Sequence, residues 1–317
     1  MSRILTGIQS TGTPHLGNIL GAIIPAIELS KKNNESFLFI ADLHSLTQIK
    51  DAKELKENTY STAATWLAFG LNPQKTIFYK QSDIPVTAEL AWILSSYFPY
   101  QRLTLAHSFK DKSNDLKNVN AALFTYPMLM AADILLYDAN YVPVGKDQIQ
   151  HLEITRNVAS KFNNLHGETL ILPEAIIDDN TKLIIGTDGQ KMSKSKNNII
   201  NIFLSDKQLK KQIMSIKTDS LPVESVKNPN SCNIFKLYSL IANDDQVKKI
   251  KEKYENGGYG YGDGLRLCYR VVGGVVVVVV VGIDMCVCRG LRVVAMIIVI
   301  LVWNCRSHCQ WHGRCHS

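Results

Sequence analysis

The stretch Phe37–Leu38–Phe39–Ile40–Ala41 is apolar at consecutive rather than alternate positions, so a strand built from it must be covered on both faces. Such strands belong in parallel sheets sandwiched between helices, and the surrounding sequence supplies the helices. Ile4–Leu5–Thr6 reads as an earlier strand leading into a loop at Gly7. Residues Asn18 to Lys32 then repeat Ile19, Leu20, Ile23, Ile24 and Ile27 at helical spacing, with Pro25 expected to kink the helix. Asp51 with Glu54 resembles a capping box that opens a helix ending at Gly70. Thr76–Tyr79 is the next strand, and Pro85 in a first helical turn starts a helix running to Phe98. After Val142–Pro143–Val144–Gly145, Asp147 can cap a helix carrying Ile149, Leu152, Val158 and Ala159. Residues 197–253 are polar, Lys-rich and helical in period. The expected fold is α/β, a doubly wound parallel sheet followed by a C-terminal all-α domain.

A chain of 317 residues has room for a nucleotide-binding domain and a smaller second one. The net charge of +7 would ordinarily point to nucleic acid, because Lys and Arg neutralise phosphates. Its distribution weakens that argument: from Gly264 onward six Arg and one acid, Asp284, leave +5, against +2 for everything before. Cysteine is equally uneven, with Cys232 alone before residue 264 and six cysteines after it, and a body with one thiol fits a reducing cytosol. The N-terminal residues lack the long apolar core of a secretory signal, which argues against export.

Four motifs carry chemistry. Thr13–Pro14–His15–Leu16–Gly17–Asn18 joins the first strand to a helix whose N-terminal amides can meet phosphate, although a capped Gly-containing loop has the same composition. Lys191–Met192–Ser193–Lys194–Ser195 follows the turn Asp188–Gly189. Two lysines there can neutralise charge on a departing pyrophosphate, or belong to a basic surface loop. Between Tyr126 and Tyr137 an apolar run holds one carboxylate, Asp133. Burying it costs several kcal/mol unless it is paired. It is either a cap bonding backbone amides or an acceptor awaiting a ligand donor, and an indole N–H, which only donates, suits an acceptor among apolar walls. Met128 and Met130 beside it serve core or ligand equally well. Finally, Val144–Gly145–Lys146–Asp147–Gln148 lies where α/β proteins bind ligands, beyond a strand's carboxyl end. Asp147 there is a ribose acceptor or a plain helix cap, and His151 reads as a solvated helix residue.

In this order the four motifs resemble bacterial tryptophanyl-tRNA synthetases, of class I, over roughly residues 1 to 263. The resemblance implies a Rossmann-type catalytic domain at 1–190 that binds ATP and tryptophan, then a signature loop and helical anticodon-side domain at 191–263. Carried over residue by residue, it assigns Gln9, Ser10, Thr11, Gly17 and Asn18 to ATP, and Gly145, Lys146 and Asp147 to its ribose and adenine side. Leu183, Met192 and Ser195 are further expected ATP contacts. Lys112, Lys191, Lys194 and Ser193 would face the triphosphate, the three lysines being the expected catalytic groups. Asp133 would read the indole nitrogen, with Gln148, Tyr126, Met130, Val144 and His44 around the amino acid. The implied substrates are L-tryptophan, ATP with Mg²⁺ and tRNA(Trp). A cytoplasmic homodimer is expected, with no tightly bound cofactor, no protein-held metal and no membrane partner. A tyrosyl-tRNA synthetase is the nearest enzyme alternative, disfavoured by the segment ending in Asp133.

Residues 264–317 depart from this pattern. Seven Val run from Val275 to Val281, and no Lys follows Lys253. This break in composition is expected of an altered reading frame or a sequence error, leaving a catalytically impaired product as the other reading of the whole chain. Two functional readings of the segment are a membrane span at 271–288 and a zinc site from Cys305, His308, Cys309, His312 and Cys315.

Overall fold

The computed structural model describes residues 2–32, 35–104, 120–145, 148–177 and 184–273, with the backbone alone at 277–283 and 296–302. The chain folds as two compact units, Met1–Leu183 and Ile184–Ser317.

In the first unit β1 (Arg3–Ile8), β2 (Glu35–Ile40), β3 (Ile77–Lys80), β4 (Tyr141–Pro143) and β5 (Glu174–Ile176) form one sheet in the order β3-β2-β1-β4-β5, with every pairing parallel. This is the doubly wound topology, and strand order reverses between β1 and β4. Ligands bind such sheets outside the carboxyl ends at that reversal. Phe37 to Ile40 are all buried, as their continuous apolarity requires. Gly7 lies opposite Phe39 in the β1–β2 register, and a Cβ at Gly7 would sit 2.4 Å from the Phe39 ring. Glycine there lets the ring lie across the strand.

The helix after β1 departs from simple periodicity. α1 (Leu16–Asn18) passes through a π turn at Ile19–Ile23 into α2 (Ile24–Lys32). Pro25 has no N–H to give and crowds the preceding turn, so the extra residue of the π turn takes up the mismatch that a kink was expected to absorb. Leu16, Ile19 and Ile23 remain fully packed.

Further along come α3 (Asp42–Ser45), α4 (Ala52–Ala68), α5 (Val86–Ser95), α6 (Tyr100–Thr104), α7 (Ala121–Leu135) and α8 (Ile149–His166). Asp51 caps α4 by accepting from the Glu54 N–H, and Gly70 ends it with φ of 98°. On one side of the sheet Leu5, Phe37, Phe39 and Val142 pack with Ile134 and Leu152, while α5, α7 and α8 meet through Leu94, Met128, Leu135 and Val158.

The second unit contains α9 (Asp206–Met214), α10 (Asn233–Tyr238), α11 (Asp244–Asn256) and α12 (Tyr261–Gly273). Tyr254 is buried at its centre, with Phe235, Tyr259 and Tyr261 around its ring at 6.0, 5.5 and 6.2 Å. Lys227 is also fully buried. Its ammonium donates to the carbonyls of Pro222, Val223 and Ser225 at 2.9, 3.1 and 3.0 Å, which makes burial of the charge tolerable.

One expectation requires correction. Residues 264–273, which composition groups with the atypical segment, complete α12 and bury Leu265, Cys268 and Val272. Composition misled because Arg266 and Arg270 recur on the helix's polar side while the apolar residues keep helical spacing. Beyond it the backbone of β6 (Val277–Ile283) pairs antiparallel with β7 (Met296–Val302), so 277–283 is strand and not a membrane helix. The proposed zinc ligands lie outside the described residues. No helix among the described residues is long and apolar enough to cross a membrane.

Gly264 is where this correction can be tested. A Cβ there would lie 2.6 Å from the Tyr254 hydroxyl and 3.3 Å from Ile234 Cγ2. Gly264→Ala is therefore expected to destabilise the second unit by about 1–3 kcal/mol, read as a lowered thermal midpoint; an unchanged midpoint would remove α12 from the packed core.

Candidate active site

At the strand-order reversal the carboxyl ends of β1 and β4 diverge around a cavity of about 850 Å³, within the size range of small-molecule sites. The ends of the strands supply Gln9 on one side and Val144 with Gly145 on the other, and Gln148 closes the approach to α8. The walls are apolar, formed by Leu5, Phe39, Met130, Ile134 and Val142. Gly21, Ala22 and Pro25 around the π turn form another side with little side-chain bulk.

Asp133 belongs to this cavity and is 2% exposed. It lies in the last turn of α7 and its carboxylate meets side chains rather than backbone amides, so it is not a helix cap. Its carboxylate lies 2.9 Å from His44 Nε2 and accepts from Gln81 Nε2 at 2.8 and 2.9 Å. Burial pushes its pKa above the usual carboxylate range; the bonds to His44 and Gln81 pull it down, and Asp42 nearby pushes it up. His44 stands on α3, directly beyond the end of β2. Tyr126, two turns before Asp133 on the same face of α7, is buried with its hydroxyl 2.7 Å from His151 Nε2, and its ring meets His44 edge-on at 6.1 Å. Behind Asp133, the rings of Phe39, Tyr79, Tyr137 and Phe37 follow one another at 5.5, 5.4 and 4.8 Å. Burial raises the Tyr79 phenol far above its ordinary value, so it stays neutral.

The expected residues therefore divide. Gln9, His44, Tyr126, Met130, Asp133, Val144, Gly145 and Gln148 share one cavity. Ser10 does not line it. Ser10 is fully buried, donating from its N–H to Ser45 Oγ at 2.9 Å and accepting from Thr59 Oγ1 at 3.2 Å, which ties the loop after β1 to α3 and α4. Thr11, Gly17 and Asn18 also stand off the lining. At the entry to α1, His15 Nδ1 accepts from the Asn18 N–H and Asn18 Oδ1 accepts from the His15 N–H, a reciprocal cap. Lys112, Lys146, Asp147 and Leu183 lie outside the described residues.

In the second unit Lys191–Ser195 forms a braced loop. Asn198 accepts from the Ser193 N–H at 2.8 Å and donates to Asp188 at 2.7 Å and to the Lys191 carbonyl at 3.1 Å. Met192 is buried, Ser193 and Ser195 share a hydroxyl contact of 2.8 Å, and Lys191 and Lys194 are exposed. Gly186 is needed because a Cβ would lie 2.3 Å from the Asn198 carbonyl.

Two residues escaped the sequence reading. His151 is 1% exposed and not solvated, because it shares a helix face with Thr155 and Val158, a spacing that was there to be read. Gln81 directly follows β3, and its position beyond a parallel strand's carboxyl end was the available signal. Among the described residues no group of His, Cys, Asp and Glu is arranged to hold a metal ion.

The family model for tRNA synthetases class I (W and Y) matches residues 1–272. A tryptophan–tRNA ligase of Campylobacter jejuni strain RM1221 is 48% identical over 260 residues, covering 82% of this chain and 81% of the relative. One from Fusobacterium nucleatum is 50% identical over 263 residues, covering 83% and 80%. The crystal structure of a tryptophanyl-tRNA synthetase from Campylobacter jejuni complexed with ADP and tryptophan superposes with a TM-score of 0.81 at 47% identity, covering 85% of this chain and 84% of that one. The family match runs through α12, as the packing of Leu265 and Val272 requires, and the chain belongs to the class I tRNA synthetases (W and Y).

Proposed function

We propose that the protein is a tryptophan–tRNA ligase that forms tryptophanyl-adenylate from L-tryptophan and ATP and passes the aminoacyl group to the 3′ end of tRNA(Trp). The observation that carries the choice of amino acid is the buried Asp133 carboxylate beside the apolar walls that Met130, Ile134 and Val144 give the cavity. An acceptor there suits an indole N–H, and leaving it unmatched by a ligand without that donor is penalised. The names of the relatives support the same choice.

In the first step the tryptophan carboxylate attacks the ATP α-phosphorus in line and pyrophosphate leaves. In the second, the terminal ribose hydroxyl of the tRNA takes the aminoacyl group and AMP leaves. No protein nucleophile is required, so positioning and charge stabilisation carry the rate. His44, Tyr126, Met130 and Val144 surround the indole, and Gln148 binds the amino-acid head group. Gln9, Thr11, Gly17 and Asn18 serve ATP, with Ser10 holding their loop from behind. Gly145, Lys146, Asp147 and Leu183 serve the ribose and adenine. Lys112, Lys191 and Lys194, with Met192, Ser193 and Ser195, supply the setting for the triphosphate, whose Mg²⁺ arrives with ATP. The tRNA substrate implies a cytoplasmic site of action, with the helical second unit meeting the tRNA.

A homodimer fits the surface of α5 and α6. Val86 and Ile93, seven residues apart on one face, are 50% and 40% exposed, and Trp92 and Tyr100 are 78% and 65% exposed.

Three outcomes are expected. ATP–pyrophosphate exchange should depend on tryptophan, and exchange driven by tyrosine instead would overturn the specificity. Because burial raises the Asp133 pKa, that group favours folding below its unfolded value near 4 and loses this contribution as pH rises through the folded value. Asp133→Asn should therefore gain stability relative to the parent as pH is raised from about 4, seen in denaturation midpoints, while losing tryptophan-dependent exchange. Trp92→Glu should shift the protein from dimer to monomer in sedimentation, with a parent that is already monomeric as the contrary result.

A further inference from the structure

Gln81 is fully buried, and the chemistry above gives it no role. Both ends of its amide are occupied. Oε1 accepts from the backbone N–H groups of Leu43 and His44 at 3.1 and 3.4 Å, while Nε2 donates to both oxygens of Asp133 at 2.8 and 2.9 Å. The orientation is forced: a flipped amide would point Nε2 at two N–H donors and Oε1 at a carboxylate. The neighbouring Ser82 repeats the tie in reverse, donating from its N–H and hydroxyl to Asp42 at 2.9 and 2.6 Å. The turn after β3 is thus laced to the first turn of α3, and the lacing ends on Asp133.

This arrangement does two things to the carboxylate. The contacts from Gln81 and His44 hold it in place, and the bonds favour its ionised form against burial. With Gln81 donating and His44 Nε2 2.9 Å away on the protein side, the ionised carboxylate offers only acceptor capacity to the cavity that it lines.

We infer that Gln81 is a specificity-positioning residue of the amino-acid site, keeping Asp133 a pure acceptor aimed at a ligand N–H. The inference rests on the reading that this cavity binds tryptophan. If it is right, losing Gln81 leaves a carboxylate with fewer donors that takes up a proton and turns from acceptor to donor. In Gln81→Glu, two acids face each other and share a proton, with the same effect. Gln81→Met keeps the side-chain length and removes both ends of the tie.

The test is ATP–pyrophosphate exchange by the full chain with L-tryptophan and with 3-benzothienyl-L-alanine, in which sulfur replaces the indole N–H. The parent should prefer tryptophan strongly in kcat/KM. Both variants should lose at least about tenfold of that preference, since matching a donor to a buried acceptor is worth that much or more. The loss should appear in KM for tryptophan, with KM for ATP within about twofold of the parent. Gln81→Glu is nearly isosteric, so a thermal midpoint close to the parent's separates this effect from misfolding. An unchanged preference in a folded variant, or equal loss for both amino acids, overturns the role of Gln81 alone. A parent that fails to exchange with tryptophan overturns the underlying reading of the cavity and the inference with it.

Discussion

A carboxylate in an apolar interior is the constraint around which the first unit is organised. Asp133 is almost wholly withdrawn from water, so the protein must bring polar partners to it. They come from segments far apart in the chain: His44 just beyond β2 and Gln81 just beyond β3, while Asp133 itself is fixed within α7. These segments meet only because parallel strands deliver all their carboxyl ends to one edge of the sheet. The topology and the polar cluster therefore depend on each other. The sheet order brings the donors together, and the cost of leaving the carboxylate unpaired penalises any packing that would separate them.

How much of this was legible in the sequence followed the range of the interaction involved. Local signals read well: the apolar run of β2, the Asp51 cap and the Gly70 stop all depend on residues a few positions apart. Asp133 stood out because one acid in an apolar run is conspicuous. Gln81 did not, because a glutamine after a strand is chemically ordinary until its partners 38 and 52 residues away are known. The setting of Ser10 was hidden for the same reason, since its neighbours Ser45 and Thr59 approach through the fold. His151 was a different failure, a polar residue on an apolar helix face assigned to solvent by its type.

The boundary near residue 264 shows composition and packing in conflict. Arg and Cys enrichment mark a change of character from Gly264 onward, yet the helix beginning at Tyr261 runs on to Gly273. Gly264 has no Cβ where Tyr254 needs the room, and Leu265, Cys268 and Val272 point inward. A helix is specified by a few residues per turn on its buried side, so its exposed positions can change composition without changing the structure. Packing is the better guide to where a fold ends.

The π turn at Ile19–Ile23 determines which residues border the cavity. An inserted residue rotates everything beyond it by about 100° relative to a regular helix. Leu16, Ile19 and Ile23 are nevertheless all buried, and Gly21 and Ala22 are on the cavity side. The helix thus contains two phase-shifted segments, each with its own inward stripe, joined at the residue before Pro25. The shape of the cavity wall depends on chain length as much as on side-chain identity. Deleting Leu20, which is off the lining, would remove no group from the cavity, yet it would turn an entire face of the helix out of phase with the sheet.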